Sequence, residues 1–107
     1  MKGRVIAELS VVPVGTGEPG LSHYVAACLD LLAQRKGISY QLTPMGTVLQ
    51  GPLDMVLDVV AKMHDAPFGL GAKRVVTTIK IDERRDKAAT MMGKVESVRK
   101  IRPSIQT

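Results

Sequence analysis

The chain is 107 residues long, 45% hydrophobic and 23% charged, with a formal net charge of +5 at pH 7. That length fits a single domain spanning residues 1–107 that closes one core without disulfides or metal, and the balance of apolar and charged residues sets disorder aside. No apolar run approaches the roughly 20 residues of a transmembrane helix, and Cys28, the only cysteine, leaves no internal disulfide and no thiol-rich metal site. The start Met1-Lys2-Gly3-Arg4 leads into an alternating pattern rather than a continuous apolar block, so a cytoplasmic location and no membrane association are expected. Charge is uneven: residues 1–71 hold five basic and six acidic side chains, residues 72–107 ten and four. Such asymmetry marks either a polyanion-binding face or a solvated last helix, and the second is the ordinary outcome.

Residues 4–14 alternate as a strand, and Gly15-Thr16-Gly17-Glu18-Pro19-Gly20 reads as a loop. Leu21, Tyr24, Val25, Cys28, Leu31 and Leu32 keep helical spacing through Arg35, with Gly37 as the stop. Ile38 to Thr43 alternates again, and Pro44-Met45-Gly46 turns it into a short strand, Thr47 to Gln50. Gly51-Pro52 opens a second helix with a stripe of Leu53, Val56, Leu57, Val60, Met63 and His64, ended by Pro67 and Gly69-Leu70-Gly71. A fourth strand, Arg74 to Asp82, runs into the charged turn Glu83-Arg84-Arg85-Asp86. Asp86 then reads as the N-cap of a helix with Ala88, Met91, Met92, Val95 and Val98 on one side and Pro103 beyond it. The order is β-α-β-β-α-β plus a C-terminal helix. It predicts an α+β, ferredoxin-like βαββαβ sandwich with a four-stranded antiparallel sheet, helices on one face, and the first and fourth strands adjacent.

The other sheet face is the informative one. Val5, Ala7, Leu9, Val11, Val75, Thr77, Ile79 and Ile81 are expected inside, leaving Ile6, Glu8, Ser10, Val12, Val76, Thr78, Lys80 and Asp82 on a face bare of helices. Leaving Ile6, Val12 and Val76 in water forgoes about 1.5–3 kcal/mol for each side chain that could be buried. A second copy of the sheet would recover it, so a homo-oligomer is expected. Polar groups enclosed by such docking must find partners in each other or in a ligand.

Four segments carry a resemblance: Ala7-Glu8-Leu9-Ser10-Val11-Val12-Pro13-Val14-Gly15; Leu21-Ser22-His23-Tyr24-Val25-Ala26-Ala27; Met45-Gly46-Thr47-Val48-Leu49-Gln50-Gly51; and Thr78-Ile79-Lys80-Ile81-Asp82-Glu83-Arg84-Arg85-Asp86 with Lys94-Val95-Glu96-Ser97-Val98. Together they resemble the single-domain thiamine-binding protein family of the YkoF-like superfamily, over nearly the whole chain. The resemblance implies dimers or tetramers that bind thiamine (vitamin B1) or its hydroxymethylpyrimidine moiety at a protomer interface, as carrier or sensor, without chemistry or a cofactor. An aminopyrimidine edge suits a carboxylate or hydroxyl, and a thiazolium an anion or an aromatic face. Glu8 and Asp82 could meet the first need, with Ser10, Thr47 and Thr78 as neutral partners, Lys80 beside Glu8, and Gly46 and Met45 at the hairpin. Aromatic poverty departs from the expected pattern: stacking must come from Tyr24, Tyr40, Phe68 or the softer Met45.

Each residue also has a plainer reading. Glu8 can pair with Lys80, Ser10 and Thr78 can be cross-strand partners, Asp82 can cap a turn, and Arg84 and Arg85 can face solvent. His23 and His64 have no ligand-spaced neighbours, so no metal site is expected, and Cys28 has no positioned base that would make it a nucleophile. Two other functions compete. An RNA-binding module of this fold would stack bases on aromatics of the central strands, and those strands have none. A small interface enzyme could use Glu8 or Asp82 as acid or base, but the sequence offers no second catalytic group.

Overall fold

Unbroken alternation from Arg4 to Pro13 forms strand β1 of the computed structural model, which describes residues 3–15, 17, 22–86 and 90–104. Helix α1 follows at Ser22–Ala33, then strands β2 (Ser39–Thr43) and β3 (Gly46–Pro52), helix α2 (Leu53–Gly69), strand β4 (Val75–Asp82) and helix α3 (Met91–Ile101). The sheet runs β2-β3-β1-β4, antiparallel throughout. With α1 and α2 on one face, this is the ferredoxin-like α+β arrangement with an added C-terminal helix.

Period-two alternation sorts β1 cleanly: Val5, Ala7 and Leu9 are buried against Leu49 of β3, while Glu8 stands exposed. The helices close over them with Cys28 and Leu32 of α1 and Val56, Val59, Val60 and Met63 of α2. Gly37, at a φ of 86°, turns the chain after α1 where a side chain would be strained. Leu21, the first residue of the expected α1 stripe, lies outside the described residues, as do Ala88 and most of the Gly15–Gly20 loop.

Helix α2 corrects the sequence reading in three places. Pro52 is the N-cap rather than a first-turn residue, Leu57 is exposed while Val59 is fully buried, and Pro67 sits inside the last turn instead of ending the helix. Proline has no N–H to give to the carbonyl four residues back, so the Met63 oxygen is left open, and the Cys28 thiol donates to it at 3.4 Å. Burial pushes that thiol above its ordinary pKa, which keeps it protonated and suited to donate.

The C-terminal helix also departs from expectation. Asp86 is not its N-cap and pairs instead with Arg84. Thr90 caps α3, its hydroxyl accepting from the Gly93 N–H at 2.8 Å. The expected apolar side of α3 buries no residue. The helix is moored to the outer sheet face, which is therefore not bare. Gln50, Ile6 and Asp82 form one cross-strand row there, the Gln50 side chain accepts from the Met91 N–H at 2.8 Å, and Lys94 pairs with Asp82. Ile81, expected inside, is 42% exposed near the end of the edge strand. Among the described residues no helix is long and apolar enough to cross a membrane.

Candidate ligand-binding site

Strand β1 is longer than the partner it meets on one side. Its pairing with β3 stops at Leu9↔Thr47, whereas its pairing with β4 continues to Pro13↔Val75. The hairpin explains the stop: Thr43 pairs with Gly46, so Pro44 and Met45 alone make the turn, and the Thr43 hydroxyl donates to the Gly46 carbonyl at 2.9 Å. Residues 10–13 therefore overhang, with nothing beside them where β3 would have continued.

A cleft of about 670 Å³ opens at this overhang. Leu9 to Val12 supply one wall, Leu42 to Thr47 the second, and Ser22, Val25, Ala26, Cys28 and Leu29 of α1 the third, with Met63 of α2 at the base. The small Ser22 and Ala26 keep α1 from filling the space. Gly46 is required where it stands, since a Cβ there would come within 2.6 Å of the Leu9 carbonyl oxygen. Thr47 points into the helix-covered side and is 6% exposed, and among the described residues its hydroxyl has no hydrogen-bond partner. Met45, 85% exposed, stands at the rim.

Among the described residues the lining is uncharged. Its polar side chains are the hydroxyls of Ser22, Thr43 and Thr47 and the thiol of Cys28, and among the described residues no aromatic ring reaches it, which leaves Met45 as the soft surface available to a flat guest. Such a wall suits a neutral, largely apolar molecule with a few hydrogen-bonding atoms.

The eight residues singled out from the sequence divide between the two faces of the sheet. Ser10, Met45, Gly46 and Thr47 line the cleft, whereas Glu8, Thr78, Lys80 and Asp82 lie on the outer face. Ser10 belongs partly to both: alternation sends its hydroxyl toward Thr78 on the outer face, and its main chain borders the cleft. Lys80 reaches Glu8 at 3.9 Å across neighbouring strands, an exposed pair of small consequence. Asp82 is engaged by Lys94. His64 binds Thr77 at 2.7 Å and is not among the residues that line the cleft. Sequence reasoning passed over Val11, Ser22, Thr43 and Cys28 as wall residues. The one available signal was length, a first strand spanning residues 4–14 against a third of only four residues, which leaves an unmatched end.

A family model for thiamine-binding proteins matches residues 7–99, which takes in most of β1, the hairpin and every described residue of the cleft lining. The chain belongs to this family. It is 46% identical over 98 residues to the UPF0045 protein YqgV of Bacillus subtilis, an alignment covering 89% of this chain and 94% of that one. Among solved structures, the hypothetical protein MJ1052 of Methanocaldococcus jannaschii superposes with a TM-score of 0.82 at 33% identity, over 90% of this chain and 96% of its own. A Thermotoga maritima protein provisionally assigned to thiamine biosynthesis or salvage shares the fold, with a TM-score of 0.73 at 23% identity, over 90% of this chain and 99% of its own.

Proposed function

We propose that this protein binds thiamine, or its free hydroxymethylpyrimidine, in the cleft between α1 and the β2–β3 hairpin, and carries or senses it in the cytoplasm without transforming it. Membership of the thiamine-binding family suggests the ligand class. The observation that supports this location is the uncharged wall with an unpartnered Thr47 hydroxyl at its inner end. A neutral aminopyrimidine with its methyl group needs hydrogen bonds at one edge and apolar contact elsewhere, which Thr47, Leu9, Val25 and Leu29 offer. The thiazolium would stay near the mouth, beside Met45, because the described residues of the inner wall hold no anion to replace its hydration. A phosphate finds no cation among those residues either, so the unphosphorylated forms are preferred.

Glu8, Thr78, Lys80 and Asp82 take a different part in this proposal. With Ile6, Val12 and Val76 they make the surface on which a second copy docks, giving a dimer or tetramer. Titration calorimetry with thiamine, hydroxymethylpyrimidine and thiamine phosphate tests the ligand: the first two should release heat with similar affinity and the third should bind no better. No heat from any of them overturns the assignment. Sedimentation equilibrium tests the assembly, and a chain that stays monomeric at high concentration rejects the docking surface.

A further inference from the structure

The geometry points to the peptide unit of Val11, rather than any side chain, as the element that recognises the amino edge of the ligand's pyrimidine. The inference rests on the proposed thiamine site and names the group that gives it specificity. In an inner strand such as β1 the N–H and C=O of one residue point to the same side, and successive residues alternate. Two hydrogen bonds at opposite ends fix which side each takes. The Gly3 carbonyl accepts from the Leu53 N–H, at the end of β3, and the Val14 N–H donates to the Arg74 carbonyl at 2.8 Å, beside β4. With the regular register between them, odd-numbered residues face β3 and even-numbered residues face β4.

Leu9 is the last odd residue with a partner, Thr47. Val11 comes next, and its N–H and C=O point to where β3 would have continued had the chain not turned away at Met45. Pro13, the following odd residue, has no N–H, so on this edge Val11 holds the one free donor among the described residues. Val11 is half-buried and lines the cleft together with Gly46 and Met45. Strand β4 occupies only the other edge, so the free pair is held rigidly by the ladder behind it.

A donor beside an acceptor, held by a strand, matches an acceptor beside a donor on the guest. The ring nitrogen next to the exocyclic amine of an aminopyrimidine is such a pair, so the ring would extend the sheet by one position, taking the place of the missing β3 residue. Thr47 cannot enforce this choice alone, because a hydroxyl turns to serve as donor or acceptor. The Val11 peptide cannot turn, and that is the source of discrimination. Replacing the amine by a carbonyl, as in oxythiamine, reverses the edge to donor beside acceptor and sets like against like at both positions.

Two measurements on the wild-type protein test this. Calorimetry should show oxythiamine binding about 100-fold more weakly than thiamine, in keeping with the rejection expected when built-in polar partners are left unmatched. Amide hydrogen exchange followed by NMR should show the Val11 amide exchanging freely without ligand and slowing at least about tenfold with saturating thiamine, while the Val12 amide, bonded toward β4, is slow in both. If thiamine binds but oxythiamine binds equally well, or the Val11 amide is indifferent to saturation, the peptide is not the reader and the thiamine site itself stands. If neither compound binds, the site assignment falls and this inference with it.

Discussion

The two faces of one sheet carry the same kind of alternation and end in different chemistry. On the helix-covered face the buried strand residues are apolar apart from Thr47, and the cleft that opens there has hydroxyls, a thiol and main chain for its polar groups among the described residues. On the outer face the rows run Gln50–Ile6–Asp82, Val48–Glu8–Lys80, Ser10–Thr78 and Val12–Val76, charges and aliphatics mixed, and the first row is tied to α3 by a hydrogen bond and an ion pair. A small neutral molecule suits the first surface, and a second protein surface that matches both charge and shape suits the other. The difference teaches that polar residues on a strand do not by themselves mark a pocket. The pocket lies where a strand outruns its neighbour.

The largest test of this contrast uses adjacent residues of β3. Leu49 is fully buried, and Leu49→Ala should cost about 2–5 kcal/mol in urea unfolding, through lost transfer free energy and an unfilled cavity. Val48 points the other way and is half-buried, so Val48→Ala should cost about 1 kcal/mol or less at low protein concentration. A Val48→Ala cost that grows with protein concentration would show the outer face covered by another copy.

Next in size is Gly46→Ala. The new Cβ would press on the Leu9 carbonyl, which belongs to the last rung between β1 and β3, and forcing the strands apart there should cost about 1–3 kcal/mol and weaken thiamine binding with it. Gly69→Ala is the control. A Cβ there meets nothing within 4 Å and its φ is ordinary, so the thermal midpoint should hold or rise slightly. Equal losses at both positions would mean that the close approach at Gly46 is not what the hairpin depends on.

These contrasts also show how much the sequence disclosed. Alternation placed Val5, Ala7 and Leu9 inside and Glu8 and Lys80 outside, because a period of two is a local property of the extended chain. Element order gave the topology for the same reason. Where the reading went astray, the deciding force was tertiary. Leu57 fits the α2 stripe as well as Val59 does, and only the angle at which α2 lies on the sheet chooses between them. Asp86 is a good capping residue in isolation, yet α3 starts at Thr90 because the helix is fixed by Gln50 and Asp82 beneath it. Chemical type alone groups Glu8 and Asp82 with Ser10, Thr47 and Thr78, although the fold divides them between two faces. Of the three candidate hydroxyls, Ser10, Thr47 and Thr78, Thr47 alone lies on the covered side, and no pattern along the chain locates an empty volume between a helix and a strand end.

A third test moves from stability to the ligand. Thr47→Val keeps the shape and removes the hydroxyl, and should weaken thiamine about tenfold with little change in thermal midpoint. Glu8→Gln, on the opposite face, should leave that affinity unaltered. The reverse outcome, with Glu8→Gln abolishing binding and Thr47→Val harmless, would move the site to the outer face and to a cavity formed between copies.

The smallest effects lie in the pH dependence, where the contrast between inside and outside predicts opposite signs. Asp58, on the exposed side of α2, is held below its ordinary 3.8, first by its hydrogen bond to Arg35 of α1, with further attraction from Arg35 and Lys62. A carboxylate with a lowered pKa stabilises the fold fully above its unfolded value, and the contribution fades as pH falls through the folded one. Cys28, on the inner side of α1, is raised above its ordinary 9.0 by burial. A raised thiol does the reverse: its contribution is whole below 9.0 and is lost as the pH climbs toward its folded value, because unfolding lets the thiol ionise in water. Salt separates the two causes. The acid limb comes from an exposed ion pair, so added salt should shrink it and Arg35→Gln should remove it. The alkaline limb comes from desolvation, so salt should leave it intact while Cys28→Ala abolishes it. An alkaline limb that responded to salt as the acid limb does would mean a charge near Cys28, and the wall of the cleft could no longer be called neutral.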